Sequence, residues 1–171
     1  MQLTTTPNPG TTTFNGVANA SSEVDALSLS KNGVPVASSS VTRYYVLSPY
    51  QPLGTAATSG SGTVGIDSAP GTIPATLTVG SSGPISTVTV YHDATLATVD
   101  AHETVTYTVT ANNTKTLILC VNSNTTDVTA QGTADGLAVH NEADCYTDDA
   151  AGSVVLDHIV LTISGVTLTF K

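Results

Sequence analysis

Positive charge is nearly absent from this sequence: three Lys and one Arg stand against 13 acidic residues in 171, a formal net charge of −9. A reader of nucleic acid neutralises phosphates with Lys and Arg and releases counterions, so that class of partner is excluded. An anionic membrane surface repels such a chain for the same reason. Charge of either sign is scarce, at 10% of residues where a soluble chain ordinarily carries about a quarter. Trp is missing, Phe occurs twice and Tyr six times, which leaves few aromatic faces for a sugar platform. No run approaches the roughly 18 apolar residues of a membrane span, so no insertion is expected. The first residues, Met1-Gln2-Leu3-Thr4-Thr5-Thr6, are neither basic nor apolar. They are not expected to be a secretion signal, and whether Met1 is native or follows a removed signal stays open. Two cysteines are too few for a disulfide framework or a thiolate zinc site.

What fills the space is hydroxyl. The chain holds 31 Thr and 17 Ser, and these rather than charges keep the surface wet. Thr and Val, both branched at Cβ, dominate the periodic segments and favour strands. Thr104, Thr106, Thr108 and Thr110 alternate with Val105, Tyr107, Val109 and Ala111, the clearest period-two run in the chain. Leu117-Ile118-Leu119-Cys120-Val121 is apolar on both faces and reads as a central strand. Val154–Ile163 is the longest apolar run. Asn32-Gly33 and Asp135-Gly136 read as hairpin turns, and Ile73, Ala75, Leu77 and Val79 alternate like a strand. No segment shows helical periodicity with caps.

These signals predict an all-β protein: a β-sandwich or jelly-roll-like pair of antiparallel sheets, with nine or ten short strands. Residues 1–22 are rich in Thr, Asn, Gly and Pro, with Leu3, Phe14 and Val17 as their only large apolar groups. They read as an extended N-terminal arm, ordered by lying on something else such as a neighbouring subunit. Residues 23–171 then form one domain, in which 48–70 is a long Gly/Ser/Pro-rich loop. Acidity is uneven: residues 1–85 carry three acids and two bases, residues 86–171 ten acids and two bases. Lysines usually guard strand edges against stray pairing. Their scarcity predicts edges occupied by partner subunits or by the arm.

Catalytic signals are thin. Gly60-Ser61-Gly62-Thr63-Val64-Gly65 matches the dinucleotide fingerprint in letters, but no helix follows to receive a pyrophosphate. The nucleophile elbow of a serine hydrolase is missing. His92-Asp93 and His102-Glu103 pair an imidazole with a carboxylate, as a general base requires, and with Asp100 they are spaced to converge across the turn between two strands. Glu142, Asp144, Asp148 and Asp149 form an oxygen-rich stretch that suits a cation such as calcium. His158, grouped by period with Val154, Leu156 and Val160, reads as a hydrogen-bonded interior or interface histidine. A disulfide between Cys120 and Cys145 would tether the acidic loop to the sheet and stabilise by roughly 3 kcal/mol. Three N-x-[ST] sequons, at Asn19, Asn112 and Asn124, matter only in a glycosylating export route. No catalytic or cofactor-binding residue is assigned.

A small, acidic, Thr/Ser/Gly/Ala-rich β-chain of this kind resembles the accessory proteins of tailed-phage virions, which decorate capsids or form tail parts. The resemblance is one of composition along the whole chain and carries no family residues with it. It implies a non-enzymatic structural protein of a symmetric assembly, a capsid decoration or cement protein located in the virion, whose partners are its own copies or a capsid or tail lattice. Two other readings share the same features. One is an extracellular or cell-surface filament subunit built by β-strand addition. The other is a carbohydrate-binding sandwich using Tyr44, Tyr45, Tyr50, Tyr91, Tyr107 or Tyr146.

Overall fold

The computed structural model describes every residue except 1, 32–33, 49, 59–61, 69–73, 75, 114, 150–153 and 171. The all-β, antiparallel class expected from the sequence is what it contains. The strands are β1 (Gln2–Pro7), β2 (Thr12–Phe14), β3 (Val17–Lys31), β4 (Val34–Leu47), β5 (Tyr50–Ala57), β6 (Val64–Ser68), β7 (Ser82–Tyr91), β8 (Val99–Ala111), β9 (Thr116–Thr126), β10 (His140–Asp149), β11 (Val154–Ile163) and β12 (Val166–Phe170), with one helical turn, α1 (Ala130–Ala134). They form a single sheet in the order β1-β3-β4-β5-β6-β7-β8-β9-β10-β11-β12, with β2 also on β3. From β2 onward each strand pairs with its chain neighbour, which is a meander, and β1 joins it beside β3.

The sheet curls. Glu23, Arg43, Thr55, Gly65, Val90 and Ala101 form one row across β3 to β8. On the same face, Tyr107, Val121, Asp144, Ile159 and Phe170 form a second row across β8 to β12. Arg43 and Tyr146 lie six strands apart along the path, roughly 29 Å in a flat sheet. Each nevertheless sits in the field of the other, so this face is concave and its two halves look at each other, a sandwich-like arrangement made from one sheet. The core lies in it: Ile85, Tyr107 and Val109 are buried, with Leu77, Val105, Leu117, Leu119 and Val121 packed around them. The convex face is dressed in hydroxyls and amides, Thr104, Thr106, Asn122 and Asn124 among them.

The N-terminal segment lies on its own chain. Both β1 and β2 pair with β3; main-chain hydrogen bonds form the ladder, so few apolar side chains are needed. Asn15 and Gly16 both take positive φ (44° and 79°) in the turn from β2 to β3, the backbone a two-residue hairpin demands. Phe14 then stacks on Tyr44 with ring centroids 4.1 Å apart. It covers Gly54, whose missing Cβ would stand 2.1 Å from the Gly65 carbonyl oxygen and 2.9 Å from the Phe14 ring.

Several expectations are corrected. Residues 48–70 are not one loop: β5 and β6 occupy most of the stretch, because a β-bulge between Tyr44 and Tyr45 accommodates Pro52, Leu53 and Gly54 in a paired strand. Leu77 to Gly80 are not strand; Ser81 and Gly80 bond the main chain of Val109 instead. Ile73 and Ala75 lie outside the described residues, as do Asn32 and Gly33, although β3 and β4 on either side pair Lys31 with Val34. Asp135-Gly136 is not a hairpin. Asp135 caps α1, and Gly136, at φ 89°, ends the helix in the left-handed conformation. A helix of five residues has no room for a periodic signal.

Candidate functional site

Two features of the fold offer chemistry: the rims of the sheet, and a cluster of ionisable groups where two connections meet. The outer strands β1 and β12 contain no charged residue. Beside β12 the apolar run of β11 is buried only in part: Ile159 is enclosed, whereas Val154 and Val155 are 58% and 61% exposed, as are Val166 and Leu168 of β12 at 60% and 48%. The chain's total accessible surface is 9756 Å2, whereas a compact monomer of its mass exposes roughly 7,800 Å2. The excess, about 1,950 Å2, is more than twice the roughly 800 Å2 that one partner gives to a standard protein–protein interface.

The cluster is built by a bulge. Val90 pairs with Ala101 and Tyr91 with Val99, so Asp100 is the extra residue of β8, and a bulge re-aims the side chain it carries. Asp100 is wholly buried, and neither carboxylate oxygen has a hydrogen-bond donor. Its main-chain oxygen accepts from Thr129 N at 2.8 Å, and Thr129 Oγ1 donates to Val99 O at 3.2 Å. The same Oγ1 caps α1 by accepting from Gly132 N at 3.0 Å. Gly132 is needed there, because a Cβ on it would lie 2.4 Å from Asp100 O. The tight seating brings Asp135, just past α1, to His92, just past β7, with Nδ1 to Oδ2 at 2.5 Å. Gln131 Nε2 donates to both Asp135 oxygens at 3.2 and 3.3 Å. One donor atom from each of His92, Asp100 and Asp135 lies within 4.8 Å of the others.

The hydrogen bond to Asp135 raises the pKa of His92, and the same bond lowers that of Asp135. Loss of solvent raises Asp100, reinforced by the carboxylate of Asp135 beside it. A buried acid facing a second acid and an imidazole resolves the conflict in one of two ways: it keeps a proton, or it shares a cation.

The concave wall is a second polar region. Arg43 is bonded to Asp25 at 3.1 Å, with its side chain 47% exposed. Enclosure in the cleft works against its charge, and Asp25, joined by Tyr50 and Tyr146, outweighs that and raises its pKa. Across the cleft, desolvation first and Asp144 next push the Tyr146 hydroxyl up to about 12. Desolvation likewise raises Asp144 and Glu142.

The oxygen-rich stretch is not a loop but strand β10. Glu142, Asp144 and Asp148 are spaced along its concave face by roughly 7 Å per same-face step, and Asp149 ends the strand, its side chain outside the described residues. An extended strand keeps them from converging on one ion. Cys145 is also in β10, directly opposite Cys120 of β9, and the two are joined in a disulfide that links neighbouring strands rather than tethering a loop. Of the two His–carboxylate pairs, Asp93 bonds Thr95 and not His92, while Thr89 and Val88 pair with His102 and Glu103 on opposite faces of β8.

His158 bonds Asp157 at 2.7 Å and is half-buried. A bulge between Cys145 and Tyr146 places Val154 and Leu156 on the other face. In the arm, Leu3 pairs with Leu27, Phe14 anchors on Tyr44, and Val17 opens β3 opposite Phe14. Tyr107 is buried and Tyr44 is covered by Phe14, so neither offers a free platform. Gly60 and Ser61 of the glycine-rich sextet lie outside the described residues, and Val64 and Gly65 belong to β6. Asp135 was missed, since no spacing links it to residues 35 and 43 positions earlier.

No family model, no curated protein and no solved structure matches this chain.

Proposed function

We propose that this chain is a non-enzymatic structural subunit of a symmetric assembly, in the manner of a phage capsid decoration or cement protein, located in the virion and in contact with its own copies or a capsid or tail lattice. The carrying observation is the rim of β11 and β12, an uncharged free edge flanked by exposed Val and Leu side chains. In a protein that stays single, such an edge is blunted by Lys, Pro or a covering loop. The enlarged total surface supports the same reading. The test is electron microscopy and sedimentation of the purified chain alone and with its source particles. Ordered particles or decoration are expected for the wild type, with loss of assembly but not of β-sheet circular dichroism in Leu168→Lys. A wild-type chain that stays monomeric at high concentration and binds no particle overturns the proposal.

One rival has a specific observation behind it. Among the described residues, both β1 and β12 have one edge free for main-chain pairing, as head-to-tail strand addition in an extracellular filament requires. Open fibres, in place of closed shells, decide for it. The sugar-binding reading has Tyr45 and Tyr50 as a pair of neighbouring rings, 5.8 Å apart, and silence on a glycan array disposes of it.

A further inference from the structure

We propose that His92, Asp100 and Asp135 form a binding site for one divalent transition-metal ion of the zinc type, which fastens the connection between β9 and β10 to the β7–β8 hairpin. The proposal is independent of the assembly reading.

Three observations converge. The first is geometric: three donor atoms lie within 4.8 Å of one another, and ligands about 2.0–2.2 Å from a common zinc ion fit within that span after small side-chain adjustments. The second is the unmet demand of Asp100. Its side chain has no exposed surface, both its oxygens lack a donor, and its bulge points it into the cluster. Buried carboxylates are otherwise hydrogen-bonded, paired or bound to a metal. The third is the support around the donors. Gln131 bonds the Asp135 carboxylate and lies 3.4 Å from His92 Nδ1, the kind of outer contact that orients a ligand.

The donor set selects the ion. One imidazole nitrogen with two carboxylates suits zinc and its transition-metal neighbours, whereas calcium asks for six to eight oxygens. His92 is 38% exposed, which gives the ion a way in and leaves room for water in the remaining coordination positions. The three residues come from the end of β7, the bulge of β8 and the end of α1. A bound ion therefore closes a contact between connections that are otherwise held by the Thr129 bonds and the seat of Gly132.

The test uses the full chain without an affinity tag, stripped by a chelator and titrated with zinc chloride at about pH 7. One zinc per chain by native mass spectrometry is expected, together with a melting temperature that rises with zinc concentration. Asp100→Asn and Asp135→Asn are each expected to weaken binding by more than about 100-fold, and Gln131→Ala by roughly 10- to 100-fold. Should the Asp variants fail to fold, cadmium-substituted wild type is read by NMR, where coupling to the His92 ring nitrogen is expected. Coupling to His102, His140 or His158 instead overturns the site. So does zinc binding that both Asp variants retain in full, saturation by calcium but not zinc, or a stripped protein indifferent to zinc whose Asp100 and Asp135 share a proton.

Discussion

Residues 2–68 and residues 82–170 continue the same ladder, yet they are held by different means. Among the described residues, the first region has one ion pair, Arg43 with Asp25, one aromatic stack, Phe14 on Tyr44, and scattered hydroxyl contacts such as Ser40 with Thr58 and Thr5 with Asp25. The second holds the buried trio Ile85, Tyr107 and Val109, the disulfide, and the bulge with its seated helix. It also carries most of the acid. The difference teaches that an apolar wall is needed only once. Given β7 to β10 as a base, β-branched residues and main-chain pairing extend the sheet outward with little further burial.

The largest expected effect removes the advantage of the second region. Cys120→Ser is expected to lower stability by about 3 kcal/mol, since the bond closes a loop of 25 residues; urea unfolding under non-reducing conditions measures it. An unchanged midpoint would mean that the apolar wall alone distinguishes the two regions. Next, Phe14→Ala is expected to cost the stack, about 0.5–1.5 kcal/mol beyond the lost area. Hydrogen exchange should then accelerate in β1 and β2 and stay unchanged in β8 and β9. Uniform acceleration would show that the two regions unfold as one unit.

The smallest effect concerns pH. Desolvation raises Asp144, with Arg43 opposing it and Asp25 reinforcing it from across the cleft; Glu142 on the same strand and Asp67 on β6 are raised by the same cause. A raised acid binds its proton more tightly in the folded state. Its contribution is complete below the unfolded value and is lost as pH rises through the folded one. The melting temperature is therefore expected to be slightly higher at about pH 5 than at about pH 8, and Asp144→Asn should narrow that gap. An unaltered gap places the effect elsewhere.

Much of the sheet was legible because alternation is a local property. Thr104 to Ala111 and Leu117 to Val121 carry their strands in their own letters. The N-terminal hairpin was not read: Asn15-Gly16 between Phe14 and Val17 holds its turn signal, but the surrounding Thr, Asn and Pro made the segment read as an extended arm. β5 was hidden by Pro52 and Gly54, residues that ordinarily mark a loop and here sit at a bulge. Two of the three residues of the candidate metal site could be read, since His92 and Asp100 flank one turn. The rest could not: the bulge that aims Asp100 depends on pairing across strands, and Asp135-Gly136 spells a hairpin as readily as a helix end.

The meander has a consequence in its parity. Eleven strands lie on the main path and every neighbouring pair is antiparallel, so the first and the last run in the same direction. Were the curl to tighten until they met, the seam would have to be parallel, the weaker ladder per residue. A second molecule is under no such restriction, since it can turn over and present its border antiparallel. Odd numbering thus disfavours self-closure and leaves the better match to another copy.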